Sequence, residues 1–231
     1  MPQHVYWGDH AMRICWRLIL ATLIICIATC SINGNSSEKS NPSYQMIKTD
    51  REPTIDGVLD DLCWEKILSI QITAQYDPDN GKDATEETFV KICYDENSIY
   101  FAFDLKDRKA NKIYAELTPR NGYVNNDSIT VYLDTYNDHR TYFAFQLNPF
   151  GIQSDSIETI WQGNAKRTNT GWTAEMAIPY KSLRFSKENF QTWGVIFQRY
   201  IHRLKETDIW PSMTRDDDFL VKSGQLVGIV N

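Results

Sequence analysis

Apolar and polar residues alternate along most of this chain. Between Thr88 and Tyr94, the residues Val90, Ile92 and Tyr94 share one face. After the polar turn Asp95-Glu96-Asn97-Ser98, residues Ile99, Phe101, Phe103 and Leu105 alternate with Tyr100, Ala102 and Asp104. A period of two belongs to a strand, and the short polar break belongs to a hairpin loop. The period recurs at 128–134, where Ile129, Val131 and Leu133 oppose Ser128, Thr130 and Tyr132. It recurs again at 141–148, where Phe143, Phe145 and Leu147 oppose Tyr142, Gln146 and Asn148. Segments 171–178, 193–201 and 225–230 complete the set. One stretch has helical spacing: Leu59, Leu62, Cys63 and Lys66-Ile67, with Trp64 beside them, behind the turn Thr54-Ile55-Asp56-Gly57. Its acidic start, Asp60 and Asp61, suits the positive end of a helix dipole. Many short strands with polar turns and no long helical periodicity predict an all-β fold, an antiparallel β-sandwich with a short N-terminal helix.

The first forty residues have a different pattern. Met12 to Arg17 is basic, Leu18 to Ala28 is an apolar run broken only by Thr22, and Ser31 to Ser43 is polar. This is the order of a secretory signal, and the run is shorter than the roughly 20 residues of a spanning helix. Residues 1–30 are therefore expected to be a signal peptide, 31–45 a polar tether, and 46–231 one folded domain. The expected location is the periplasm or outer membrane. Ile27-Ala28-Thr29-Cys30 resembles a lipobox, which implies lipid on Cys30, although Thr29 stands where a smaller residue is usual. Contact with a membrane would then come only through the signal or the lipid. Cys63 and Cys93 remain for the folded part and read as buried thiols, with a disulfide as the alternative.

The net charge of -6 argues against a nucleic-acid partner, which needs a basic surface. With the signal removed, only His139 and His202 remain, and neither belongs to a nucleophile elbow or a metalloprotease helix, so no catalytic constellation is expected. Met176 and His202 would be the pair for a rival haem reading, against ordinary core filling by a strand Met. Trp64, Trp172 and Trp193 fall in apolar patterns and are expected in the core. Trp161 and Trp210 lie in less regular stretches, open between core and surface, and an exposed ring would point to binding.

The polar face of the 128–134 and 141–148 strands carries Thr130, Tyr142, Gln146 and Asn148, uncharged groups that suit a neutral polyhydroxylated ligand. Arg120, in the loop Thr118-Pro119-Arg120-Asn121-Gly122, could fork onto hydroxyls or form a surface salt bridge. Asp127, Asp134 and the run Asp216-Asp217-Asp218 could attract calcium, or could serve turn backbone and solvent.

Four segments carry a family resemblance. They are Ile55-Asp56-Gly57-Val58-Leu59-Asp60-Asp61-Leu62-Cys63-Trp64, the Val90 to Asp107 hairpin, Asn126 to Asp134, and Gly171-Trp172-Thr173-Ala174-Glu175-Met176-Ala177-Ile178-Pro179. In this order they resemble carbohydrate-binding module family 9, with one extra residue before Trp64. A closer similarity is to the N-terminal domain of a large outer-membrane family of unknown function, through Leu133-Asp134-Thr135-Tyr136-Asn137-Asp138, Asn148-Pro149-Phe150-Gly151 and Ile178 to Phe185. The first resemblance implies a sandwich that holds sugar chain ends between two Trp rings and carries structural calcium. The second implies an alternative: a periplasmic interaction or cap domain for an outer-membrane β-barrel, this chain being a truncated copy. The clamp positions depart from the family, since they fall near Val124 and near Asp216 to Phe219. Tyr123 and Trp210 are the candidates to replace the rings, and Thr130 and Gln146 stand where the family has Glu and Arg. The expected ligand set is Arg120, Thr130, Tyr142, Gln146, Asn148 and Trp210, binding a glycan or similar small neutral ligand without cleaving it.

Overall fold

The computed structural model describes residues 40–122 and 125–230. The chain runs through β1 (Ser43–Gln45), a single helical turn α1 (Leu62–Glu65), β2 (Ile70–Asp77), β3 (Asp83–Tyr94), β4 (Ser98–Lys106), β5 (Ser128–Asp134) and β6 (Phe143–Leu147). It continues through β7 (Gln153–Asp155), β8 (Gln162–Thr168), β9 (Gly171–Pro179), β10 (Phe190–Ile201), β11 (Glu206–Trp210) and β12 (Gly224–Val230). The strands pair in the order β7-β6-β5-β10-β11-β2-β3-β4-β9-β8, with β12 beside β10 and β1 beside β12. These pairings are antiparallel, except that of β1 with β12. β11 pairs with the end of β2 and joins the two halves of the path.

The alternation decides how the halves pack. Val131, Leu133, Phe145, Leu147 and Phe197 from one half meet Val90, Phe101, Phe103, Trp172 and Met176 from the other in one apolar core. Phe197 sets its edge against Phe101 and Phe103 at 6.0 and 6.2 Å between ring centres, a favoured aromatic geometry. This is the expected sandwich. Trp161 also belongs to the core: it is 4% exposed, its edge lies against Phe145, and its Nε1 donates to Asp155 at 3.1 Å.

The second face of β3, β4 and β9 is covered as well. Tyr100, Ala102, Cys93 and Ala177 form a smaller buried cluster with Trp64 and Ile67. The helix expected over 59–67 is thereby cut to one turn, Leu62–Glu65, whose job is to deliver Trp64. The buried Glu175 on β9 fixes it. Its Oε1 accepts from Trp64 Nε1 at 2.9 Å, and its Oε2 accepts from the backbone N–H of Gly57 at 3.0 Å and of Asp56 at 3.2 Å. Gly57 has φ +84°, and a Cβ there would stand 2.8 Å from the Ala165 carbonyl carbon, so only glycine fits. The family-like segments around Gly57, Trp64 and Glu175 are thus one structural latch. Burial, against those three donors, still pushes the Glu175 carboxyl up to about 7. Cys63 and Cys93 are free thiols, and burial pushes both up, Cys63 to about 11.

β10 and β11 also carry charge inward. Arg199, fully buried, donates to the Glu87 and Lys106 carbonyls at 3.0 and 2.7 Å and to Thr88 Oγ1 at 2.8 Å. Asp208, its register partner on β11, is also fully buried, and neither of its oxygens receives a hydrogen bond. Burial first, and the neighbouring Glu206 next, push the Asp208 carboxyl up to about 8, so it keeps its proton at neutral pH.

Candidate functional site

The site lies on the outer face of β6, β5, β10 and β11. Register builds it row by row. Gln146 stands opposite Thr130, and Thr130 opposite Gln198. One row along, Ser128 faces Tyr200, and Tyr200 faces Thr207. Directly opposed residues share a face, so these side chains form one polar floor. Walls come from the 118–126 loop, through Thr118, Asn121, Asn125 and Asn126, and from Ile152, Gln153 and Ser154 around the start of β7. Together they enclose an open cleft of about 330 Å³ that, among the described residues, no charged side chain lines.

Two amides prepare this floor for hydroxyl groups. Gln146 Nε2 donates to Thr130 Oγ1 at 3.0 Å, and Gln198 Oε1 accepts from the Tyr132 hydroxyl at 2.7 Å. The carbonyl of Gln146 and the Nε2 of Gln198 have no partner among the described residues. An acceptor and a donor therefore flank Thr130, and a hydroxyl can use both at once.

Of the residues expected to bind, Thr130, Gln146 and Asn148 line the cleft. Asn148 has a structural duty there. Its Oδ1 accepts from Phe150 and Ile152 N–H at 2.9 and 3.0 Å, and its Nδ2 donates to the Glu116 carbonyl at 3.0 Å. Asn126 Oδ1 accepts the Glu116 N–H at 2.7 Å, so the two asparagines hold the base of the loop from both sides. Arg120 does not reach into the cleft. Its guanidinium pairs with Asp155, donates to the Thr159 carbonyl and lies over the Trp161 ring at 6.0 Å. Burial alone would raise Asp155, but Arg120, Asn121, Trp161 and Thr159 outweigh it and hold that carboxyl below its ordinary range. Arg120 is thus a rivet between loop and β7, the salt-bridge alternative weighed for it.

Trp210 departs further from expectation. It stands opposite Phe197, so its ring points to the core, 5.6 Å from Phe197 and tight against Gly224. The period-two geometry of β11 puts Thr207 and Ile209 on the outer side instead, Thr207 at the cleft and Ile209 in a buried cluster with Ile196 and Met213. Tyr142 is on the outer face but beyond the cleft, in an aromatic group with Tyr132 and Phe219. Tyr123, Val124 and Cys30 lie outside the described residues. Gln198 and Tyr200 escaped the sequence reading, although their parity, opposite to Trp193, Val195 and Phe197, marks them as outward.

The residues read for calcium do not assemble a site. Asp134 accepts from the Asp138 and His139 N–H groups, Asp127 from Tyr114 N–H, Asp217 from Thr214, and Asp218 from Leu220 and Val221 N–H. Among the described residues, no group of three or more His, Cys, Asp or Glu side chains is arranged to hold a metal ion. Met176 fills the core, while His202 stacks on Tyr114 at 4.3 Å and meets the Asn125 carbonyl through Nδ1, so the two do not converge on a haem.

The fold is thus a sandwich with a polar cleft on one outer sheet face. The chain belongs to the carbohydrate family 9 binding domain-like family, whose model matches residues 55–208. Modules of this family bind carbohydrate and are non-catalytic in themselves. Its fold resembles that of a family 9 carbohydrate binding module from Caldicellulosiruptor kristjanssonii in complex with cellotriose, at 16% identity and a TM-score of 0.59, covering 80% of this chain and 93% of that one. The same kind of module in complex with glucose gives 16% and 0.60, covering 81% and 97%. A candidate carbohydrate-binding protein from Bacteroides uniformis ATCC 8492 gives 15% and 0.65, covering 81% and 99%. Among curated proteins none matches the chain.

Proposed function

We propose that this chain is a non-catalytic module that binds a neutral glycan in the cleft above Thr130. The observation that carries the reading is the floor itself: Gln146, Thr130 and Gln198 in one row, donors and acceptors without charge, in a concave space of about 330 Å³. That volume is at the small end of ligand pockets, the scale of a single sugar ring. The glucose and cellotriose in the related modules support the ligand class.

Calorimetric titration with a panel of neutral mono- and trisaccharides tests this. Binding is expected to be insensitive to salt, since no ion pair forms. Gln146→Ala and Thr130→Val should each weaken it about tenfold, the worth of one hydrogen bond. A folded protein that binds no neutral glycan, or a Gln146→Ala variant that binds as tightly as the parent, would discard the reading.

The same reading places the module outside the cytoplasm, exported by residues 1–30 and anchored by lipid on Cys30 in the service of glycan use. Cys30→Ser is expected to move the protein from the membrane to the soluble fraction on cell fractionation. An unchanged distribution would remove the anchor.

A further inference from the structure

Beyond the cleft, the same sheet face changes character along the strands. The row after Gln146, Thr130 and Gln198 consists of Ala144, Tyr132 and Ile196. Tyr142 follows on the β6 side. Two residues of strand separate successive rows, about 7 Å. Tyr132, Tyr142 and Phe219 meet edge-on there, with ring centres 5.1 to 6.4 Å apart. Phe219 and Tyr132 pack with the cluster of Ile196, Ile209 and Met213 and are needed to cover it. Tyr142 is 41% exposed.

The two regions are continuous. The Tyr132 hydroxyl holds Gln198, which lines the cleft. Ala144 lies between Gln146 and Tyr142 on β6. It is the smallest side chain in the row it shares with Tyr132 and Ile196.

We propose that Tyr142, at the edge of this aromatic ledge, forms a second sugar subsite, and that the ligand is therefore an oligosaccharide extending along the sheet. The inference rests on the proposed glycan cleft. The C–H face of a later sugar of the chain packs on the Tyr142 ring while the first sugar holds the amides, which suits a ligand that is apolar on its ring faces and polar at its rim. A single sugar fills the cleft alone and gains nothing from the ledge.

The test compares matched pairs by calorimetry: glucose with cellotriose, xylose with xylotriose, and mannose with mannotriose. For the recognised sugar, the trisaccharide is expected to bind about tenfold tighter than its monosaccharide, the scale of one ring contact. Tyr142→Ala should erase that difference and leave monosaccharide affinity unchanged, at a small cost in stability from the lost ring contacts with Tyr132 and Phe219. Ala144→Leu, which sets a bulky side chain between the amides and Tyr142, should also erase the difference; the contacts of Ala144 with Ser156 use only its backbone. Equal affinity for mono- and trisaccharide overturns the ledge and leaves the cleft standing. So does a preference for the trisaccharide that survives both substitutions. Failure of every sugar to bind overturns cleft and ledge together.

Discussion

Glu175→Ala is expected to destabilise the fold by about 3 kcal/mol, because two buried donors would each lose their acceptor at about 1 to 3 kcal/mol apiece, partly offset by relaxation. Trp64 Nε1 and the N–H groups of Gly57 and Asp56 all end on this one carboxyl. The loss would spread, since Trp64 is the centre of the apolar cluster over Tyr100 and Ala102. Glu175→Gln keeps an acceptor for Trp64 but turns an amide N–H toward the backbone donors, so it should fall between the two. Urea unfolding followed by tryptophan fluorescence measures both. An alanine variant within 1 kcal/mol of the parent would show that the latch is not what holds Trp64.

Stability is expected to fall as pH rises from 5 to 8, the reverse of the usual behaviour on the acid side. Asp208 and Glu175 have folded-state values near 8 and 7, above the ordinary carboxylate range of the unfolded chain. The folded protein then holds protons that the unfolded chain releases. Its advantage is complete below about pH 4 and is lost as pH climbs through those two values. Two such groups give a slope of about 2 kcal/mol per pH unit near pH 6. Asp208→Asn replaces the acid with a group that never ionises. It should flatten the slope by about half and leave the variant more stable than the parent at pH 8. Urea midpoints at pH 5, 6, 7 and 8 decide the matter, and a parent midpoint that climbs across this range would refute the assignment.

The sequence announces some of this and hides the rest for definite physical reasons. β3 through β6, β9 and β10 alternate cleanly because one side of each faces the core, and that fixed the class of fold and the outward direction of Thr130 and Gln146. β8 does not alternate, because Gln162–Thr168 is an edge strand with little apolar side to show. In β11 the pattern is disguised: beside Trp210 its inward residues are the acids Glu206 and Asp208, Asp208 standing opposite Arg199, where apolar residues would ordinarily stand. Two candidate residues turned on partners far away in the chain. Arg120 is claimed by Asp155, and Trp210 is turned inward by its register with Phe197. Local spacing records neither. The short helix shrank because Glu175, over a hundred residues later, does the work a longer helix would have done.

The pairing of β1 with β12 has a consequence in time. Ser43 meets Gln225 and Gln45 meets Val227, so the two ends of the described domain lie side by side. β4 must likewise wait for β9, and β5 for β10. Chains dominated by such distant pairings search slowly, on the scale of milliseconds to seconds. Strands β5 and β6, which carry the floor of the cleft, cannot be locked from both sides until β10 arrives. The cleft is thus among the last features of the fold to be completed, and β12 must be in place before β1 can pair with it.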